Sequence, residues 1–412
     1  MTVGEGKRNV PAKPATYRSL FAESQFRSLW LAQAISLTGD QLARVAIASL
    51  VFADTGSAFI TALIYAVTYL PWVVGGPLLG SLADRYPRRA VMVSCQLISA
   101  VLVALMAIPG MPLAVLASLL FVVILVESPF LSARASLLVD VLPDDRYVLA
   151  SALNQLTIQA TQVLGFAAGG ALVLWVGPTD ALLLDAASFL FAAALVRFGV
   201  RARPAIGGSE LLGGSWQRMK VGAKVVFGNP RLRGLVLLGW LATFWVVPEG
   251  LAAPYAGGSA TAIGLLLAAQ PAGSAIGGLV LSRLVPPTTR LELMGPLAVL
   301  SCAPLLAFVV TPPLSVAVAL LVLSGIGTTY NLPANAAFMQ ALPAERRGQA
   351  FGLVSAGLIA GQGASIAVAG AIAEVVAPGV VIAVAGGMGL VGALALSGAG
   401  RRFLSEPSPA VS

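Results

Sequence analysis

The sequence predicts an all-α polytopic membrane protein, with twelve transmembrane helices arranged as two six-helix bundles. Three observations point there: continuous apolar runs of spanning length, lysine and arginine gathered on one side of those runs, and an echo of the first half in the second. A chain that is 58% hydrophobic and only 10% charged cannot hide its apolar surface inside water-soluble domains, so it needs lipid as solvent. The runs are unbroken stretches rich in Leu, Ala, Val and Gly, unlike the short alternating segments of a membrane β-barrel.

Twelve segments approach or exceed the roughly 20 residues a spanning helix requires: 28–53, 59–82, 90–109, 113–133, 149–176, 180–198, 234–255, 259–282, 291–311, 313–336, 350–374 and 378–399. Connections such as 109–112 and 311–313 leave room only for antiparallel helical neighbours. Basic residues near membrane segments stay cytoplasmic, which tests both count and orientation. With the N-terminus inside, every lysine and arginine except Arg44 falls on the inner side, and the outer connections carry none. One miscounted crossing before the middle would throw the later clusters outside. Both termini are therefore expected in the cytoplasm, with the chain multi-pass in the cell membrane. The basic residues before position 28 precede no apolar run short enough for a cleavable signal.

This order gives a cytoplasmic segment 1–27, a first bundle 28–199, a linker 200–233, a second bundle 234–399 and a tail 400–412. Within the linker, residues 215–227 interleave Trp216, Met219, Val225 and Phe227 with Arg218, Lys220 and Lys224, the pattern of a helix lying on the inner membrane surface. It reads as an anchor for the hinge between bundles or as a regulatory contact. The halves echo each other: Leu142, Pro143, Arg146 and Ala150 recur two hundred residues later as Leu342, Pro343, Arg346 and Ala350. Residues 277–290 occupy the place of 75–88, with Pro286 where the first half has Asp84. A six-helix unit repeated in the same orientation is what a two-bundle transporter requires.

Between the second and third segments lies a charge-dense island, Gly80-Ser-Leu-Ala-Asp-Arg-Tyr-Pro-Arg-Arg-Ala-Val91. Its Gly80, Leu82, Asp84, Arg85, Arg88 and Arg89 resemble the signature loop of the major facilitator superfamily, G-x-L-x-D-R-x-G-R-R, with Pro87 in place of the glycine. The resemblance implies parallel halves around a midplane site. It also implies that Gly80, Asp84, Arg85, Arg88 and Arg89 form a conformational latch between the halves that holds the outward-open state. A plain topology anchor is the other reading, although an anchor needs no aspartate. In the fifth segment Gly165, Gly169 and Gly170 resemble the family's antiporter signature G-P-x-x-G-G, with Phe166 for the proline, which tilts the reading toward export. The Asp40–Arg44 stretch and residues 228–233 look like the bacterial multidrug and siderophore exporter branch. Against that branch, the arginine many drug exporters carry within helix four is missing, and Arg134 comes only at the inner end of that segment.

Charges deep in a membrane helix are costly unless paired or facing a water-filled cavity, so each is a site candidate. Asp40 and Arg44 share one face of the first helix at i, i+4, either as a self-neutralising pair or as a proton-coupling or substrate contact. Glu127, followed by Pro129, has no cation within one turn and is the leading proton site; a structural, hydrogen-bonded glutamate is the alternative. Asp185, Glu249 and Glu374 fall nearer the outer ends, where solvent can satisfy them, and Pro248 and Pro254 are placed to break the helix around Glu249. Gln155, Gln159 and Gln162 lie on one stripe with Asn154 beside them, lining a substrate cavity or bonding between helices.

No phosphate-binding glycine loop is present, so no ATPase engine is expected. Without histidine there is neither a His-containing metal site nor a histidine triad, and Cys95 and Cys302 read as buried free thiols. The basic charges are spread over short loops, which argues against nucleic acid. The sequence therefore reads as a non-enzymatic transporter without cofactor or metal, acting as a monomer with protons, lipid and a small molecule as partners. Export of an amphiphilic compound by proton antiport is the expectation; import of a nutrient or lysolipid, or a non-transporting sensor, are the alternatives.

Overall fold

A computed structural model describes residues 16–79, 82–142, 145–203, 226–342 and 347–404. Twelve of its helices are long and apolar enough to cross a membrane. In chain order they are α1 Ser24–Thr55, α2 Ala58–Gly75, α3 Arg88–Met106, α4 Leu113–Val141, α5 Arg146–Val176, α6 Pro178–Gly199, α7 Pro230–Tyr255, α8 Ala260–Leu284, α9 Thr289–Val310, α10 Leu314–Gln340, α11 Ala350–Ala373 and α12 Pro378–Ser397. The first eight residues described form a capped turn of helix, Tyr17–Ala22, that leads into α1. Residues 215–225 of the expected amphipathic linker lie outside the described residues; Val226 and Phe227, at its end, join the helix leading into α7, where Phe227 meets Trp240 edge-on.

Two bundles follow from the packing. In the first, α1 lies on α5 and α6 while α3 joins α4 and α6; in the second, α7 lies on α11 and α12 while α8 joins α10. The bundles meet along two seams, α5 with α8 and α2 with α11. An even number of crossings puts both described chain ends on one face, here the terminal face, and the tight connections after α1, α3, α5, α7, α9 and α11 on the far face. Glycines make the seams close. A Cβ at Gly170 would stand 2.6 Å from the Ala260 carbonyl oxygen and 3.0 Å from Gly264 Cα, so α5 and α8 touch backbone to backbone. Across the other seam Gly363 faces Tyr69, and Gly370 faces Ala62.

Among the described residues, every hydrogen bond between bundles lies in the far-face half. Ser49 donates to the Gly258 carbonyl at 3.2 Å, Ser57 Oγ and the Phe59 amide donate to Glu374 at 2.5 and 2.7 Å, and Tyr65 and Tyr69 donate to Glu249. The far face is closed.

Helix α7 is broken, as its prolines predict. It runs in three pieces, Pro230–Trp240, Ala242–Trp245 and Val247–Tyr255, and the last break immediately precedes Pro248 and Glu249. Proline removes an amide donor, and a freed carbonyl in a bundle needs another partner. Pro248 has no amide for the Phe244 carbonyl, and the Glu249 amide donates to the Val246 carbonyl at 2.9 Å, so the Trp245 carbonyl accepts instead from Gln270 Nε2 of α8 at 3.2 Å.

Candidate functional site

The candidate site is a column of polar groups running from mid-membrane toward the far face. Near its base, Asp40 of α1 and Glu127 of α4 line one cavity inside the first bundle. Gln33, Ser36, Gln96 and Ser99 supply its other polar wall, with Phe130 and Phe189 on the apolar side. Gln33 is 3% exposed and its Oε1 has no partner. The spacing had carried this signal: Gln33, Ser36 and Asp40 lie on one face of α1, and Gln96 and Ser99 are one turn apart on α3.

Arg44 stands one turn above Asp40 but does not pair with it. Among the described residues the one ion pair is Arg88 with Asp140, so the self-neutralising Asp40–Arg44 pair is not formed. Instead Arg44 is shared, within electrostatic reach of Asp40, Glu127, Tyr65 and Tyr69. Glu249 feels the same guanidinium from the second bundle and accepts hydrogen bonds from Tyr65 at 3.1 Å and Tyr69 at 3.3 Å. These two phenols, at i, i+4 on α2, complete the column and were not singled out from sequence.

Two acids expected near solvent are not there. Asp185 is 1% exposed, with Ser188 donating to it at 3.2 Å, and it lies where a Cβ on Gly39 of α1 would stand. Glu249 is held between the bundles. Both lie about 10 Å along their helices from the far end, where Asp185 is buried and Glu249 is half-buried. Glu374 does reach the far surface, where the Ser57 hydroxyl and the Phe59 amide hold its carboxyl below the usual glutamate range.

The loop charges bind within their own bundle in this structure. Arg88 pairs with Asp140 and donates to the Ser136 carbonyl, Arg89 donates to the Val200 carbonyl at 3.1 Å, and Arg85 is exposed. Gly80 and the side chain of Asp84 lie outside the described residues. Of the antiporter-like glycines, Gly165 and Gly169 pack on Gln41 and Leu42 of α1, and Gly170 meets α8. Asn154 accepts from Arg134 Nη2 at 2.9 Å, and Gln155, Gln159 and Gln162 stay outside the Asp40 cavity. Helix α4 continues to Val141, so Arg134 sits two turns inside its end and is buried.

A second cavity lies in the terminal-face half of the second bundle between α7, α10 and α11. Trp240, Trp245, Asn331, Asn335, Phe351 and Gln362 line it. Aromatic walls with a few amides fit an amphiphilic molecule, whose apolar body needs area and whose polar groups need partners.

A family model described as Major Facilitator Superfamily matches residues 29–253. Macrolide efflux protein A of Streptococcus pyogenes is 26% identical over 275 residues, 62% of this chain, and the match spans 66% of that relative's length. An uncharacterized MFS-type transporter of Bacillus subtilis, YkuC, is 30% identical over 31% of this chain and 30% of its own. Among solved structures, the nucleoside transporter NupG aligns at TM-score 0.71 and 13% identity over 92% of this chain and 99% of its own. A bacterial homologue of the iron transporter ferroportin in its inward-facing state aligns at TM-score 0.69 and 15% identity over 94% and 100%.

Proposed function

The chain belongs to the Major Facilitator Superfamily, and on that premise we propose that it is a proton-coupled exporter of amphiphilic small molecules working by alternating access. The carrying observation is the placement of acids relative to openings. Protonatable groups step from the closed far face through Glu249 to Asp40 and Glu127, whereas the large aromatic cavity lies in the terminal-face half. With the basic loops in the cytoplasm, the terminal face is inside, so substrate enters from the cytoplasm and protons from outside. The two bundles of residues 28–199 and 234–399 rock against each other, and Gly80, Asp84, Arg85, Arg88 and Arg89 close the inner side when the outer side opens. The likeness of Gly165, Gly169 and Gly170 to the antiporter signature and the efflux name of a relative support the outward direction.

Arg44 is the switch in this scheme. Three acids within the spans, Asp40, Glu127 and Glu249, share its charge, so a proton arriving on one of them frees the guanidinium for the others. Loss of charge on Glu249 weakens its two phenol bonds and releases the far face; substrate in the inner cavity favours the opposite closure. Binding shifts the population only through such differential contacts.

The test is transport in proteoliposomes of known orientation under an imposed pH gradient, with a panel of amphiphiles that includes a macrolide. Substrate should move against the proton flow, and Asp40→Asn and Glu127→Gln should each lower gradient-driven flux at least tenfold. Movement of substrate with the protons would make the protein an importer.

A further inference from the structure

The repeat that relates the two bundles leaves one basic pocket without its acid. In the first bundle Arg88 pairs with Asp140. At the matching place in the second bundle stand Arg290 and Gln340, so a cation remains and the carboxylate is replaced by a neutral amide. Arg290 is held in place by the end of α8, donating from Nε to the Val285 carbonyl at 2.9 Å and from Nη2 to the Ser282 carbonyl at 3.0 Å. Among the described residues Arg231, at the start of α7, makes no side-chain hydrogen bond or ion pair, and its Nε is buried without a partner.

Both arginines line one open cavity at the terminal face, with Gln340 also in its lining and no described carboxylate in its wall. Leu281, Leu332 and Ala336 form the rest of the lining that matters. Leu332 precedes Gln340 by eight residues on α10, about 12 Å toward the membrane middle. The pocket is therefore cationic at headgroup level and apolar below it, and Leu332 is 56% exposed.

We propose that this pocket binds an anionic phospholipid of the adjacent leaflet. Arg231 and Arg290 take the phosphodiester, Arg231 using donors that no described group of the protein accepts. One acyl chain lies along Leu281 and Leu332. A soluble anion would use the rim alone and leave the apolar depth empty, and a carboxylate brought in from the opposite bundle would do the same.

The test uses the full chain, delipidated and titrated with phosphatidylglycerol or phosphatidylcholine, with bound lipid counted by native mass spectrometry. One phosphatidylglycerol should be retained saturably, and phosphatidylcholine should not. The double variant Arg231→Gln/Arg290→Gln should bind about tenfold more weakly or worse. Gln340→Glu, which restores the acid the first bundle has, should displace the lipid by engaging the arginines. That variant decides the matter if the double variant fails to fold. Millimolar inorganic phosphate should not compete. Equal retention of phosphatidylglycerol by wild type and variants, or its full displacement by inorganic phosphate, would overturn the proposal.

Discussion

Glu249 and its two phenols separate holding the far face shut from sensing protons, because different substitutions remove different halves of the contact. Tyr65→Phe keeps the acid and deletes one donor, which costs about 1 kcal/mol for a neutral acceptor and up to about 3 for an ionised one. The far face should then open roughly five- to 150-fold more often. Alkylation of Thr61→Cys, buried in α2 at 3% exposure, should speed up accordingly in a chain lacking the two native cysteines. Glu249→Gln fixes the acceptor in its uncharged form, so the far face should open more often at every pH while the pH dependence of transport flattens. Glu374 behaves differently. Its carboxyl is held below the usual glutamate range by Ser57 and Phe59, so its contribution to closure is complete above that range and lost only as pH falls through the lowered value. Glu374→Gln should therefore change far-face opening equally at pH 8 and pH 6, measured by the same alkylation. The acids were legible because a charge inside an apolar run is visible in one dimension. Their surroundings were not. Depth along a helix does not say which neighbour faces a side chain, so Asp185 and Glu249 looked solvated, and Tyr65 looked like an ordinary aromatic residue.

At the level of the helix, the α5–α8 seam depends on the absence of side chains. Gly170 and Gly264 let two backbones touch, and an added Cβ at Gly170 would meet the Ala260 carbonyl and Gly264 Cα, neither of which can swing away. Gly170→Val forces the seam apart at a cost of about 1–3 kcal/mol, the usual range for overpacking. The closed far face should lose that much relative to the open one, so Thr61→Cys alkylation should rise and transport should fall while the chain still folds. Gly352, which has no atom within reach of an added Cβ, is the control: Gly352→Ala should leave both measurements unchanged. The glycine pattern was readable in the sequence as a resemblance, but its partner was not. Two of its three glycines serve packing on α1 within one bundle, and only Gly170 crosses to the other. The breaks in α7 were readable for a local reason, since Pro248 removes an amide wherever the helix lies, whereas the rescue of Trp245 by Gln270 required the fold.

For the whole molecule, crossing number and chain order follow from apolar length and from the one-sided arginines, both properties of the chain alone. Which face is closed does not, because closure rests on contacts such as Tyr65–Glu249 and Ser49–Gly258 between residues far apart in sequence. Rocking of two bundles about a central cavity makes those contacts one half of a reciprocal motion. Spin labels at Val148 and Leu284 report the terminal face across the α5–α8 seam, and labels at Trp175 and Val375 report the far face. All four positions are at least 67% exposed, so labels there disturb no packing. Acidifying the far side should lengthen the second distance and shorten the first, and substrate added from the terminal side should oppose both changes. In Gly170→Val the far-face distance should begin long and respond less to acid. If acid moved one distance and left the other fixed, the bundles would not be turning as rigid bodies, and far-face opening would be a local event at α2 and α7, uncoupled from the inner cavity.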